Sequence, residues 1–390
     1  MNNFKFHTPT QIFFGKDQIK SLPSLVSGKR VLLVYGYSAI KKMGLYDKVV
    51  EILKDEGCTF FELSGVDPNP RLTSVEQGIQ LTRKNNLDLV LAVGGGSAID
   101  CAKAICLGHY YDGDAWELTL PFEGRRKVEP TKALPLGTFL TLSATGTEMN
   151  ANAVISNKKL GIKAAISNPL VKPVFSILDP KYTYSVSPYQ TACGVSDIMS
   201  HVFEQYFSRT KCTFLQDTIA EALMRVCIRF GKTAIDIPTH YEARSSLMWA
   251  STLALNGLIG EGQDGDWATH QIEHAVATVN DMAHGAGLAI IFPHWMRYVL
   301  DNAEASDKFV NYGRSIWNLK GERREIELGA ISKTAEFFSE LGMPSKLSEV
   351  GIKKEDFKKI VERTFIGSPS TGSFMQLKFE DVMEILKMAF

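Results

Sequence analysis

The sequence has no pair of cysteines at the spacing of a metal ribbon or a redox motif. Its six cysteines, Cys58, Cys101, Cys106, Cys193, Cys212 and Cys227, are scattered along 390 residues. That argues against a disulfide framework and fits a reducing compartment. There is no excess charge either: Lys+Arg and Asp+Glu both total 43. No net field therefore draws the chain to nucleic acid or to an anionic membrane. The nearest thing to a basic run, Arg125-Arg126-Lys127, reads as a solvated loop. No segment approaches the ~18 uninterrupted apolar residues that span a bilayer. The first residues, Met1-Asn2-Asn3-Phe4-Lys5-Phe6, lack the basic start and apolar stretch of a signal peptide. The expectation is a soluble cytoplasmic protein with no nucleic-acid or membrane partner.

What is present is ordinary in bulk and informative in pattern. Hydrophobic residues make up 45% and charged residues 22% of the chain, enough for large cores, and at ~150 residues per domain the length suggests two. The first part alternates short apolar runs with amphipathic stretches. Val31-Leu32-Leu33-Val34-Tyr35 reads as a strand ending at Gly36, followed by a helix from Leu45 to Glu56. Thr59-Phe60-Phe61-Glu62-Leu63, a turn at Pro68-Asn69-Pro70, a helix from Ser74 to Asn85 and the strand Leu89 to Val93 come next, and a further strand runs from Val174 to Leu178. Strand and helix in alternation predict an α/β domain, a parallel sheet with helices on both faces. From Pro188 onward the periodicity is helical almost throughout. The expected division is residues 1–184 as the α/β domain and 185–390 as an all-helical domain.

The second buried strand runs into Gly94-Gly95-Gly96-Ser97 and then a helix from Ala98 to Leu107. Three glycines let the backbone approach a ligand closely. Free N–H groups and the positive end of the helix favour a phosphate there, with Ser97 as N-cap or extra donor. A glycine-rich turn with no ligand is the competing reading, because the motif is neither GxGxxG nor a Walker loop.

The eight histidines are unevenly placed. Asp197 and His201 lie four apart in a helical segment, and so do His270 and His274, with His284 across a short loop. A carboxylate with several imidazoles in one domain is a common catalytic donor set for a divalent metal, with Zn²⁺ or Fe²⁺ favoured over Mg²⁺ or Ca²⁺. A lone Asp/His pair at this spacing is more often a plain hydrogen bond.

With these motifs the chain resembles the iron-containing (group III) alcohol dehydrogenases, in particular the butanol dehydrogenase/aldehyde reductase branch. The resemblance includes Phe6-His7-Thr8-Pro9-Thr10 with Phe14-Gly15, Gly94 to Ser97 with Asp100, and Thr141-Leu142-Ser143-Ala144-Thr145-Gly146-Thr147-Glu148. It continues through Leu178-Asp179-Pro180, Asp197 with His201, and His270, His274 and His284. It implies a dehydroquinate synthase-like architecture: a dinucleotide-binding N-terminal domain, an all-α metal-binding C-terminal domain, and a homodimer. It implies one divalent metal, Fe²⁺ or Zn²⁺, on Asp197, His201, His270 and His284, with His274 beside it as a proton relay. It also implies a pyrophosphate on Gly94, Gly95, Gly96 and Ser97, and further cofactor contacts from Thr141, Leu142, Asn150, Lys163 and Tyr182.

The implied reaction is hydride transfer between a nicotinamide and a small uncharged alcohol or aldehyde such as butanol or butanal. Dehydroquinate synthase itself, a lyase, would need a basic cluster for its phosphorylated substrate. Trp267, Ile272, Val276, Met282 and Leu288 near the histidines suit an uncharged substrate instead. A non-catalytic metal- or nucleotide-binding protein is the third reading. For the cofactor, Gly36-Tyr37-Ser38 follows the first strand and no acid lies between Val34 and Lys42. An acid there would repel a 2′-phosphate, so NADP(H) is expected in preference to NAD(H). NADP-using relatives carry glycines followed by Ser at this point, from which Tyr37 and Ala39 depart.

Overall fold

Runs of Val, Leu, Ile and Phe bounded by turn residues form the strands of the N-terminal half. The computed structural model describes residues 1–119 and 128–390, so Arg125-Arg126-Lys127 lies outside the described residues. Among the described residues eight strands occur: β1 (Gln11–Phe14), β2 (Arg30–Tyr35), β3 (Thr59–Leu63), β4 (Leu89–Gly94), β5 (Leu136–Leu140), β6 (Asn152–Asn157), β7 (Ile162–Ser167) and β8 (Phe175–Leu178). Six of them make one sheet in the order β1-β8-β5-β4-β2-β3, parallel at every pairing. β6 and β7 form a separate antiparallel pair.

Helices α1 (Leu22–Val26), α2 (Ala39–Lys42), α3 (Leu45–Asp55), α4 (Leu72–Lys84) and α5 (Gly96–Gly108) belong to this half. Val31, Leu33, Leu91, Phe139 and Ile177 share a buried cluster with Leu45, Val49 and Leu53 of α3. The alternate residues Leu32, Val34, Val90 and Ala92 are equally buried, and α5 packs on β4. Both faces are thus covered, which is why these strands read as unbroken apolar runs.

The remainder is helical: α6 (Pro188–Tyr206), α7 (Phe214–Asp236), α8 (Tyr241–Leu255), α9 (Ala268–Asn280), α10 (His284–Asn302), α11 (Lys308–Trp317), α12 (Arg323–Glu340), α13 (Phe357–Thr364) and α14 (Phe379–Met388). Their apolar faces close on one large core that includes Val202, Phe203, Phe207, Phe292 and Trp295. The chain divides into two compact units, His7–Val186 and Ser187–Phe390, with Met1–Phe6 grouped with the second. The Asn2 N–H donating to the Gly262 carbonyl at 2.7 Å accounts for part of that grouping. Among the described residues no helix is long and apolar enough to cross a membrane.

Candidate metal centre and dinucleotide site

In a parallel sheet every strand ends on the same edge, so the segments after neighbouring strands meet there. Gly36, Tyr37 and Ser38 follow β2, the glycine turn follows β4, Thr141 and Leu142 follow β5, and Tyr182 follows β8. These four strands are adjacent, in the order β8-β5-β4-β2. The turn itself is tight: a Cβ on Gly95 would lie 3.2 Å from Leu142 Cβ, and one on Gly96 would lie 2.9 Å from Thr145 Oγ1. The Thr141 N–H donates to Gly94 O at 3.0 Å. Helix α5 begins at Gly96 with Gly95 as its N-cap. Ser97 therefore sits inside the first turn, not at the cap expected from the sequence.

Other expected cofactor residues have internal partners. The Asn150 Oδ1 accepts from Lys103 Nζ at 2.8 Å and from the Asn152 N–H at 2.9 Å, and its Nδ2 donates to Thr145 O at 3.1 Å. That side chain holds the 145–152 segment in place. Lys163 lies on β7 opposite Ser156. The Tyr182 ring meets Phe139 edge-on at 5.1 Å between centroids. The Tyr37 hydroxyl donates to Asp67, an acid delivered by the turn after β3. Arg71 Nε lies 3.6 Å from the other Asp67 oxygen.

The histidines gather in the helical unit. Ser187 caps α6 by accepting from the Gln190 N–H at 3.2 Å, and Pro188 follows it. Asp197, His201 and Glu204 then fall at i, i+4 and i+7 on one face of this helix. The ligand atoms of Asp197, His201 and His270 lie within 4.8 Å of one another. His284 opens α10, and its Nε2 is 3.8 Å from Asp197 Oδ1. His201 Nδ1 is 3.3 Å from the same oxygen. The His274 ring stacks on that of His284 at 5.4 Å, while it is 6.5 Å from that of His270.

Two carboxylates complete the arrangement. Glu204 and Glu273 are both fully buried. The His270 Nδ1–Glu204 Oε1 distance is 2.7 Å, and His284 Nδ1 pairs with Glu273 Oε2. The sequence reading overlooked both acids. Their spacing was the available signal: Glu204 repeats the Asp197/His201 face, and Glu273 lies between His270 and His274.

The group fits a divalent cation on two grounds. His270 Nε2 and His201 Nδ1 are buried without a hydrogen-bond partner among the described residues, which is costly unless something else takes their lone pairs. Burial first, then the neighbouring His270 and His284 rings, push His201 well below the usual histidine range. Its ring is therefore neutral and able to donate a lone pair. Nitrogen donors with one carboxylate oxygen suit Fe²⁺ or Zn²⁺. The expected apolar lining is a correction: Ile272, Val276 and Leu288 are fully buried in the helical core. Of the residues named from sequence, Trp267 and Met282 are the partly exposed ones.

Residues 9–180 match the family described as iron-containing alcohol dehydrogenase, and residues 191–390 match the C-terminal part of the same family. The chain belongs to the iron-containing alcohol dehydrogenase family. Within it, the chain is 46% identical over 395 residues to NADH-dependent butanol dehydrogenase A of Clostridium acetobutylicum, covering 100% of both. It is 39% identical to the NADPH-dependent aldehyde reductase YqhD of Escherichia coli, over 93% of each. Among solved structures it resembles NADH-dependent butanol dehydrogenase A from Thermotoga maritima, with a TM-score of 0.94, 40% identity and coverage of 100% of this chain and 99% of that one.

Proposed function

We propose that this protein is an NAD(P)H-linked alcohol dehydrogenase, or in the reverse direction an aldehyde reductase, acting on small uncharged substrates such as butanol and butanal. The observation that carries this reading is the convergence of Asp197, His201 and His270, with His284 at the edge of the same cluster, in a member of this family. Asp197, His201, His270 and His284 would hold one divalent ion, Fe²⁺ or Zn²⁺, which supplies Lewis acidity at the substrate oxygen. Gly94 to Ser97 at the start of α5 offer N–H groups and a positive helix end to a pyrophosphate. Thr141 and Leu142, held against that turn, border the same site, and Tyr182 extends it along the sheet edge. Asn150 contributes by fixing the 145–152 segment, and Lys163 by its charge near Asp100. His274, whose ring stacks on that of His284, would take the proton that the alcohol oxygen gives up, as the family resemblance implies.

The overall balance is alcohol plus oxidised nicotinamide going to aldehyde, reduced nicotinamide and a proton. Butanal should drive consumption of reduced nicotinamide, followed by its absorbance. A lyase or a non-catalytic binding protein predicts no aldehyde-dependent change.

The finer cofactor assignment, NADP(H) over NAD(H), rests on the lack of an acid between Val34 and Lys42. A specific observation favours the opposite preference: Asp67 reaches the end of β2 through Tyr37. The butanol dehydrogenase relatives at 43–46% identity are named NADH-dependent. The ratio of specificity constants decides between them, a value above one for NADPH over NADH supporting the first. All six cysteines are free, which supports a reducing, cytoplasmic setting. The homodimer rests on the family resemblance, and light scattering of the purified protein tests it.

A further inference from the structure

We propose that Glu204 and Glu273 are positioning residues. Each fixes the proton of one histidine on Nδ1 and so turns the Nε2 lone pair of His270 and of His284 toward the metal. The inference rests on the metal reading above and deepens it. An ionised carboxylate accepts and cannot donate, so a ring nitrogen bonded to one carries the proton. That leaves the other nitrogen as the ligand atom and makes it more basic. The geometry matches: His270 Nε2 is buried with no partner, and His284 Nε2 faces Asp197 Oδ1 at 3.8 Å.

Helix capping alone does not account for these acids. Glu204 does cap α9, accepting from the Trp267 N–H at 2.6 Å and the His270 N–H at 3.0 Å. The same Oε1 also takes the His270 ring nitrogen at 2.7 Å, which a cap does not require. Because both Glu204 oxygens are bonded, the carboxylate cannot rotate away. Glu273 lies mid-helix in α9, away from its N-terminus. Room is made for it on α10: a Cβ on Gly287 would meet Glu273 Cγ at 2.7 Å. Burying a carboxylate at 0% exposure costs several kcal/mol unless it is well paired, and the pairing of Oε2 with His284 Nδ1 offsets part of that cost.

The test is metal affinity of the full chain. Apo protein is titrated with Zn²⁺ and Co²⁺ against a chromogenic chelator, and the Co²⁺ absorption spectrum is recorded. E273Q and E204Q should each bind Zn²⁺ ~10–100-fold more weakly, with an altered Co²⁺ spectrum. G287A, which touches no ligand, should displace Glu273 and weaken binding in the same direction. If removing the Glu204 cap leaves E204Q unfolded, E273Q and G287A carry the test. Wild-type affinity and an unchanged Co²⁺ spectrum in folded E273Q overturn the proposal. Metal retained at full affinity in H270A would instead overturn the ligand set itself, so the two failures are distinguishable.

Discussion

Replacing Gly285 by Ala should loosen the helical unit and the metal centre together. A Cβ at this position would lie 2.0 Å from the Cys193 carbonyl oxygen, 2.7 Å from its carbon and 2.9 Å from its Cα. All three are backbone atoms of α6, so no side chain can rotate out of the way. Ordinary contact is ~3.5 Å, which requires α6 and α10 to part by roughly 1.5 Å. Helix propensity favours Ala over Gly by at most ~1 kcal/mol, whereas overpacking against a rigid neighbour costs ~3 kcal/mol or more. The net loss is about 2 kcal/mol, or ~4–8 °C in the melting temperature of a unit of this size. The same shift separates His284, which precedes Gly285, from Asp197, one turn beyond Cys193. Metal affinity should therefore fall alongside stability. Calorimetry of the apo protein and chelator competition read the two effects. Gly329→Ala is the control, since its Cβ meets only the Leu319 side chain, at 3.0 Å, and should cost nothing. Wild-type melting and wild-type metal affinity in Gly285→Ala would refute the packing argument.

Two further outcomes follow from single acids. Burial first, then the Glu204 charge, push the Asp266 carboxyl up to about 7. Its folded value lies above its unfolded one, so the native state keeps the proton longer. The resulting loss of stability is absent near pH 4 and grows as pH rises toward 7. Asp266→Asn should flatten that part of the urea-midpoint profile, and equal slopes in the two proteins would contradict it. Asp67→Asn should raise the NADPH/NADH ratio of kcat/KM about fivefold, the equivalent of ~1 kcal/mol for a partly exposed charge. An unchanged ratio means that Asp67 does not face the ribose.

The sheet core and the helical second half were legible because their side-chain periods are clean. Strands β2 and β4 are buried on both faces and read as continuous apolar runs. Other strands were hidden for local reasons. β5 carries Gly137, whose missing side chain is replaced by the Phe175 ring of β8 (2.1 Å from a built Cβ), and this breaks the apolar pattern. β1 is a four-residue edge strand, and among the described residues the β6/β7 pair joins no larger sheet. At the candidate metal site, the i, i+4 spacing marked Asp197 with His201 and His270 with His274, and the family resemblance implied which of them are ligands. Glu204 and Glu273 were missed because buried acids on an amphipathic helix look like solvent-facing ones until their partners are known. Ile272, Val276 and Leu288 were misread for the converse reason: proximity in sequence to a site says nothing about which helix face points into it. Asp67 escaped because it lies far along the chain from Tyr37, and only the parallel pairing of β3 on β2 brings the turn after β3 beside the end of β2.

Metal content of purified wild type, His270→Ala and His274→Ala, taken together with butanal-dependent consumption of reduced nicotinamide, tests the ligand set most directly. Wild type and His274→Ala should each carry one divalent ion by elemental analysis, with His274→Ala slower. His270→Ala should lose both the ion and the activity while keeping its helical circular dichroism, because affinity depends on the complete donor set. Full metal occupancy in His270→Ala, or butanal turnover by a wild type stripped of metal, would contradict it.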